Sequence, residues 1–150
     1  MSRVNVESEI MIERPREVVA SYAADPDRAT SWYRNIKSVR WESPKPLGLG
    51  TRIAFEARFL GRTIAYTYEI REWIEGERLV MGTSDGPLVM ETTYLWSDAA
   101  DGGTRMTLRN RGQASGFSAL GAPLLAMAMR RANSEDLARL KAILESSREG

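Results

Sequence analysis

The feature that most constrains this chain is the stretch from Ile36 to Gly112, where apolar and polar residues alternate and turn residues interrupt at short intervals. Successive side chains of a strand point to opposite faces, so such alternation means one buried face and one wet face. In "TRIAFEARF" one phase holds Ile53, Phe55, Ala57 and Phe59, while the other holds Arg52, Glu56 and Arg58. After Gly61, "TIAYTYEI" groups Ile64, Tyr66, Tyr68 and Ile70, so the two segments predict a hairpin. "LVMETTYLW" repeats the pattern with Leu88, Met90, Thr92, Tyr94 and Trp96. Turn signals at Pro44 to Gly50, Gly61, Glu75-Gly76, Asp85-Gly86-Pro87 and Asp101-Gly102-Gly103 separate five clear strands, preceded by the weaker "IKSVRW". With connections this short and no helical period among them, neighbouring strands are antiparallel.

The flanks differ. "VNVESEIMI" alternates with Val4, Val6, Ser8, Ile10 and Ile12 in one phase, predicting a first strand that Pro15 ends. "RPREVVASYAADP" and then "PDRATSWY" predict two short helices, the first carrying Val18, Val19 and Tyr22 at helical spacing. The C-terminal stretch "GFSALGAPLLAMAMRRANSEDLARLKAILE" predicts a long helix. At about 100° per residue, Ala122, Leu125, Ala126, Met129, Asn133, Leu140 and Leu144 share one side, with Leu137 at its edge. The opposite side holds Arg131, Glu135 and Arg139 late, but Leu120, Leu124 and Met127 early. The apolar run is too short, and too broken by Gly121 and Pro123, to span a membrane, for which about 20 residues are needed. Strands gathered between helices give an α+β class, one domain over residues 1–150.

Composition narrows the chemistry. The chain has no cysteine and no histidine, which excludes disulfides, thiolate nucleophiles, Ser-His-Asp catalysis and the usual zinc sites. No Asp-rich loop offers a hard-cation site, so no metal and no cofactor is expected. A net charge of +1 with 27% charged residues, and no basic cluster, argues against nucleic-acid partners. The first fifteen residues carry acidic side chains and no apolar core, so a cytoplasmic location without stable membrane insertion is expected. "GLG" at Gly48 lacks the Gly-Lys-Ser/Thr and helix of a phosphate loop, and "DGG" at Asp101 reads as a turn.

Four stretches in order, "EIMIERPREVVASYAADPDRATSWY", "GLGTRIAF", "DGGTRMTL" and "LARLKAILE", resemble the START-like helix-grip superfamily, also labelled SRPBCC or polyketide cyclase/dehydrase and lipid-transport type. That resemblance covers nearly the whole chain. It implies a curved antiparallel sheet of about seven strands gripping the long C-terminal helix, with a cavity between them. The superfamily includes carriers, cyclases, hydrolases and co-chaperone-like modules, so fold alone does not fix a reaction.

If the apolar phases face that helix, Phe55, Phe59, Tyr66, Tyr68, Met81, Met90, Thr92 and Tyr94 form the expected ligand-binding wall, with Trp41 and Trp96 as further candidates. Aromatic and Met residues at strand spacing also serve as plain core, and the phenols are the better candidates because a buried hydroxyl needs a partner. Leu120, Leu124 and Met127 are the expected cavity entrance, or else a contact with a second copy of the chain in a homodimer. General acid-base catalysis needs a titratable group inside the site. No Asp, Glu or Lys falls mid-strand in the inward phase, and Glu56, Glu69 and Glu91 lie in the other, although a β-bulge reverses phase. The expected function is therefore binding or carriage of an apolar or aromatic, lipid- or polyketide-like small molecule. A polyketide cyclase or aromatase is the second reading, and a co-chaperone-like interaction module using the outer face is the third.

Overall fold

The computed structural model describes residues 3–85, 88–114 and 121–146. The strands are β1 (Arg3–Ile12), β2 (Ile36–Trp41), β3 (Arg52–Phe59), β4 (Arg62–Ile74), β5 (Arg78–Asp85), β6 (Leu88–Asp98) and β7 (Thr104–Ala114). The helices are α1 (Arg16–Ala23), α2 (Ala29–Trp32) and α3 (Ala122–Ser146), with a 3-10 turn at Pro26–Arg28 before α2. All seven strands form one curved antiparallel sheet in the order β1-β7-β6-β5-β4-β3-β2. Each strand from β2 onward pairs with its successor, and β1 joins the far edge beside β7. The segment containing α1 and α2 therefore carries the chain from one sheet edge to the other. The turn expected at Gly86 and Pro87, and Leu120 at the expected entrance, lie outside the described residues.

Burial follows the alternation. In β1, Val4, Val6 and Ile12 are buried while Asn5, Glu7 and Glu9 face solvent. In β3, Ile53, Phe55 and Ala57 are buried and Phe59 is half-buried at the strand end. The pairing of β4 with β5 slips twice, between Thr67 and Tyr68 and between Ile70 and Glu72, and the second slip leaves Arg71 as an extra residue in β4. An extra residue there reverses the faces. Tyr68 and Ile70 point to the core before the bulge and Trp73 packs against it afterwards, while Glu72 turns out to meet Arg78 Nε at 2.7 Å. The bulge thus brings no carboxylate inward. Glu91 remains on the outer face, between Arg71 and Arg111.

α3 crosses the concave side of the sheet and buries Leu125, Asn133, Asp136, Leu137, Leu140 and Leu144, a stripe at spacings of three and four residues. Its regular turns begin at Ala122. Pro123 therefore sits in the first turn, where a missing N–H forfeits no helical bond. Its far end is clamped to β1 and the corner after it: Lys141 Nζ donates to the Met11 carbonyl at 2.8 Å, Glu13 N–H donates to Glu145 Oε2 at 2.8 Å, and Arg14 Nη1 donates to the Leu144 carbonyl at 2.7 Å. Under this half lies the main core, with Trp32, Ile53, Ile70, Leu79, Met106, Leu108, Leu137 and Leu140 almost fully buried. Each such side chain contributes about 1.5–3 kcal/mol of transfer free energy. Under the first half the packing is thinner, a small cluster of Val4, Met90 and Leu125 with Phe59, Ile64 and Met129 beside it. The gap between the two clusters holds the site.

Candidate functional site

A cavity of about 150 Å³ separates the sheet from α3. Phe55, Phe59, Tyr66, Tyr68, Met81, Met90, Thr92 and Tyr94, all selected from strand phase, line it together. Phe55 is the centre of an aromatic group: its ring stacks with Tyr66 at 5.5 Å between centroids and meets Tyr68 edge-on at 5.8 Å, while Tyr66 and Tyr68 lie 5.1 Å apart. Such offset and edge-on pairs are the arrangements that ring quadrupoles favour. The two tryptophans are elsewhere. Trp41 donates its Nε1–H to Asp27 at 2.9 Å on the outer rim, and Trp96 is buried core beneath Tyr94. Strand phase does not separate them from the cavity wall, because position along the strand decides whether an inward ring meets space or another side chain.

The polar members form two sets. Tyr68 and Thr92 share a hydrogen bond of 2.7 Å, Thr92 Oγ1 donates to Asn110 Oδ1, and Asn110 Nδ2 donates to Asn133 Oδ1 at 3.2 Å. This chain runs from β4 across β6 and β7 to α3. It ends on Asn133 Nδ2, which is buried and has no hydrogen-bond partner among the described residues, although Asn133 is only 5% exposed. The second set pairs the hydroxyls of Tyr33 and Tyr94. Tyr66 lines the cavity beside both sets and joins neither.

Asp136 also lines the cavity, one turn after Asn133 on the same face of α3, and is 3% exposed. Its Oδ1 accepts the Arg34 backbone N–H at 3.1 Å. Burial disfavours the charged form and raises its pKa to about 6; the Arg34 N–H, with the charges of Arg139 and Arg34, opposes the rise, and Glu135 adds to it. Burial also pushes the Tyr68 phenol up to about 12 and the Tyr33, Tyr66 and Tyr94 phenols well above their ordinary value, so all four stay neutral at physiological pH. The site therefore sets the Asp136 carboxyl, with its raised pKa of about 6, among neutral phenols and amides, and Asp25 is the other carboxyl in the lining. Among the described side chains the strands bring no carboxylate inward, as their phase predicts; strand phase misses Asp136 because it comes from the helix. The signal is present in the sequence: Met129, Asn133, Asp136 and Leu140 continue one stripe at spacings of three and four.

At one end the cavity adjoins an outer groove between the β3–β4 turn, the loop before β2 and the first half of α3. Leu124 is 55% exposed and Met127 is 61% exposed beside this mouth, both on the wall of that groove. No group of His, Cys, Asp or Glu among the described residues could hold a metal ion. Among the described residues, no helix is long and apolar enough to cross a membrane.

A sheet gripping one long helix, with a lined space between them, is the arrangement expected from the resemblance. The family model described as polyketide cyclase / dehydrase and lipid transport matches residues 3–145. The chain belongs to that family. Solved structures agree on the fold. TTHA0849 from Thermus thermophilus is similar at 22% identity and a TM-score of 0.79, covering 95% of this chain and 99% of that one. A START superfamily protein from Mycobacterium smegmatis gives 11% identity and 0.81, with 95% and 97% covered. The Zhui aromatase/cyclase of a Streptomyces species gives 13% identity and 0.74, with 95% and 94% covered. At these identities the family's fold is shared and its members' ligands are not thereby assigned. No curated protein matches the chain as a sequence relative.

Proposed function

We propose that this protein binds and carries a small apolar or aromatic molecule bearing a hydrogen-bond-accepting oxygen, held between the sheet and α3 and handled in the cytoplasm. The observation that carries the reading is Asn133 Nδ2, a buried donor without a partner among the described residues, in the lining of a largely apolar cavity whose other amide and hydroxyl groups on the Tyr68–Thr92–Asn110 chain are paired. Leaving such a donor unsatisfied costs about 1–3 kcal/mol, which a ligand carbonyl or hydroxyl oxygen recovers. A volume of about 150 Å³ matches the scale of a cavity that admits a single benzene-sized ring. The rings of Phe55, Tyr66 and Tyr68 suit an aromatic guest.

Calorimetric titration with toluene and with acetophenone, each one ring in size, tests this. The ketone binds more tightly to the native protein, and Asn133→Leu removes that advantage while leaving the hydrocarbon unaffected. Failure of both compounds to bind, or an advantage that survives the substitution, would sink the reading.

Asp136 favours a second reading, proton transfer at a carbon next to a carbonyl. A carboxyl with a pKa of about 6 is suited to act as a base near neutral pH. One solved relative in fold is called an aromatase/cyclase and another an ARO/CYC di-domain protein, which is consistent with such chemistry. Deuterium exchange into the methyl group of acetophenone, followed by NMR, distinguishes the readings: protein-dependent exchange that Asp136→Asn abolishes means an enzyme, and no exchange means a carrier.

A further inference from the structure

The groove outside the mouth has a character the cavity lacks. It has a volume of about 570 Å³ and shares Asn35, Phe59, Ala132 and Asp136 with the cavity wall, so the two spaces adjoin across these side chains. Arg34, Lys37 and Arg58 line it from the sheet side, and Leu60, Leu124 and Met127 supply its exposed apolar surface. Many cations on this protein sit against carboxylates, as in Arg16–Asp98, Lys45–Asp27, Arg52–Glu42 and Arg105–Glu9. Lys37 and Arg58 do not: Lys37 Nζ donates to the Arg34 carbonyl at 3.2 Å and Arg58 Nη1 donates to Thr63 Oγ1 at 3.3 Å, with no ion pair for either among the described residues. Of the groove's two acids, Glu135 is already held by Arg34 at 3.6 Å and Arg131 at 3.2 Å, and Asp136 is buried in the cavity wall. The net field at the mouth is positive and its cations have spare donors.

We infer that the ligand is an anionic amphiphile whose apolar ring occupies the cavity and whose carboxylate, sulfonate or phosphate group lies in the groove against Lys37, Arg58 and Arg34. This rests on the ligand-binding reading above and adds the class of ligand. Two features join to give it. The cavity holds about one ring, so a larger guest must extend through the mouth. What it meets there is apolar at Leu60, Leu124 and Met127 and cationic at Arg34, Lys37 and Arg58, which rewards a molecule with one charged end and selects against a purely hydrocarbon one.

A matched pair of fluorescent probes tests the inference on the full chain: N-phenyl-1-naphthylamine, which is neutral, and 1-anilinonaphthalene-8-sulfonate, the same rings with one sulfonate. Both are titrated at low and high salt into the native protein and into the Lys37→Gln/Arg58→Gln double variant, whose unaltered melting temperature verifies folding. The two probes are expected to displace one another, with the sulfonate about three- to tenfold tighter at low salt, as two exposed ion pairs allow. High salt and the double variant each abolish that advantage without changing the neutral probe's affinity. Equal affinity of the two probes, or a sulfonate advantage that persists in the double variant, would overturn the anionic end and leave the carrier reading standing. Binding of neither probe would overturn both.

Discussion

Replacing Asp136 by Asn should make this protein more stable at neutral pH and slightly less stable in acid. The native carboxyl has a pKa of about 6 against an ordinary 3.8. A carboxyl whose folded pKa lies above its unfolded value makes the folded state bind more protons, so stability falls as pH rises through the interval between the two. Below about pH 4 both states are protonated and nothing is lost; above about pH 6 the full cost of the buried charge is present. That cost is about 3 kcal/mol at 1.36 kcal/mol per pKa unit. The amide introduced by Asp136→Asn would keep an oxygen for the Arg34 N–H but bring a buried NH2 group, a penalty of about 1 kcal/mol. The net gain is about 2 kcal/mol at pH 8, or about 4–8 °C in melting temperature for a domain of this size. The charged groups acting on Asp136 are Arg34, Arg139 and Glu135, so the difference between the two proteins' profiles, rather than either slope alone, isolates Asp136. The assay is thermal and urea unfolding of both proteins from pH 4 to pH 8. Parallel stability profiles would refute the reasoning, as would a variant less stable than the native protein at pH 8.

Gly112→Ala should cost more than about 3 kcal/mol, because Gly112 has φ 151° and an added Cβ would lie 2.0 Å from the Val89 carbonyl oxygen; urea unfolding measures it. Tyr68→Phe should destabilise by about 1–2 kcal/mol through loss of the hydrogen bond with buried Thr92, whereas Tyr66→Phe should change stability by less than about 0.5 kcal/mol; the same unfolding experiment separates them. Both should weaken binding of oxygen-bearing aromatic ligands by calorimetry, and unchanged affinity in both would remove these phenols from the site. Leu124→Asp, at an exposed position, should leave stability within about 0.5 kcal/mol and slow uptake of a fluorescent apolar probe in stopped-flow mixing; unchanged uptake would take Leu124 out of the entrance.

Much of the molecule was legible because side-chain period maps directly onto faces. The phases of β1, β3 and the first part of β4 are the buried faces, and the stripe from Leu125 to Leu144 is the helix face that meets the sheet. The eight strand residues around the cavity follow from the same rule. Tyr33 was not legible, since it follows a four-residue helix in a segment with no period, and its pairing with Tyr94 joins residues 61 apart in sequence. Asn110 continues the phase of Met106 and Leu108, but a polar residue in an apolar phase reads as the strand's end until its partners are known. The bulge after Ile70 depends on hydrogen bonds to β5, which no local pattern in β4 encodes. Asp136 was within reach of the helical angle, but an acid directly after Glu135 reads as part of the solvent face until the helix is docked.

The hydrogen bonds and ion pairs that tie α3 to other elements, through Asn133, Glu135, Asp136, Lys141, Leu144 and Glu145, fall in its second half. The first half is held by Leu125 and its apolar neighbours, whose attraction has no preferred direction and allows sliding. The eleven residues from Asn133 back to Ala122, about 17 Å at 1.5 Å per residue, thus lie over the cavity on apolar contacts, while the directional bonds among the described residues fix the helix from Asn133 onward. A bend of about 10° near Asn133 would displace Ala122 by about 3 Å at that rise per residue, close to the thickness of an aromatic ring, and leave the bonds at Lys141, Leu144 and Glu145 in place.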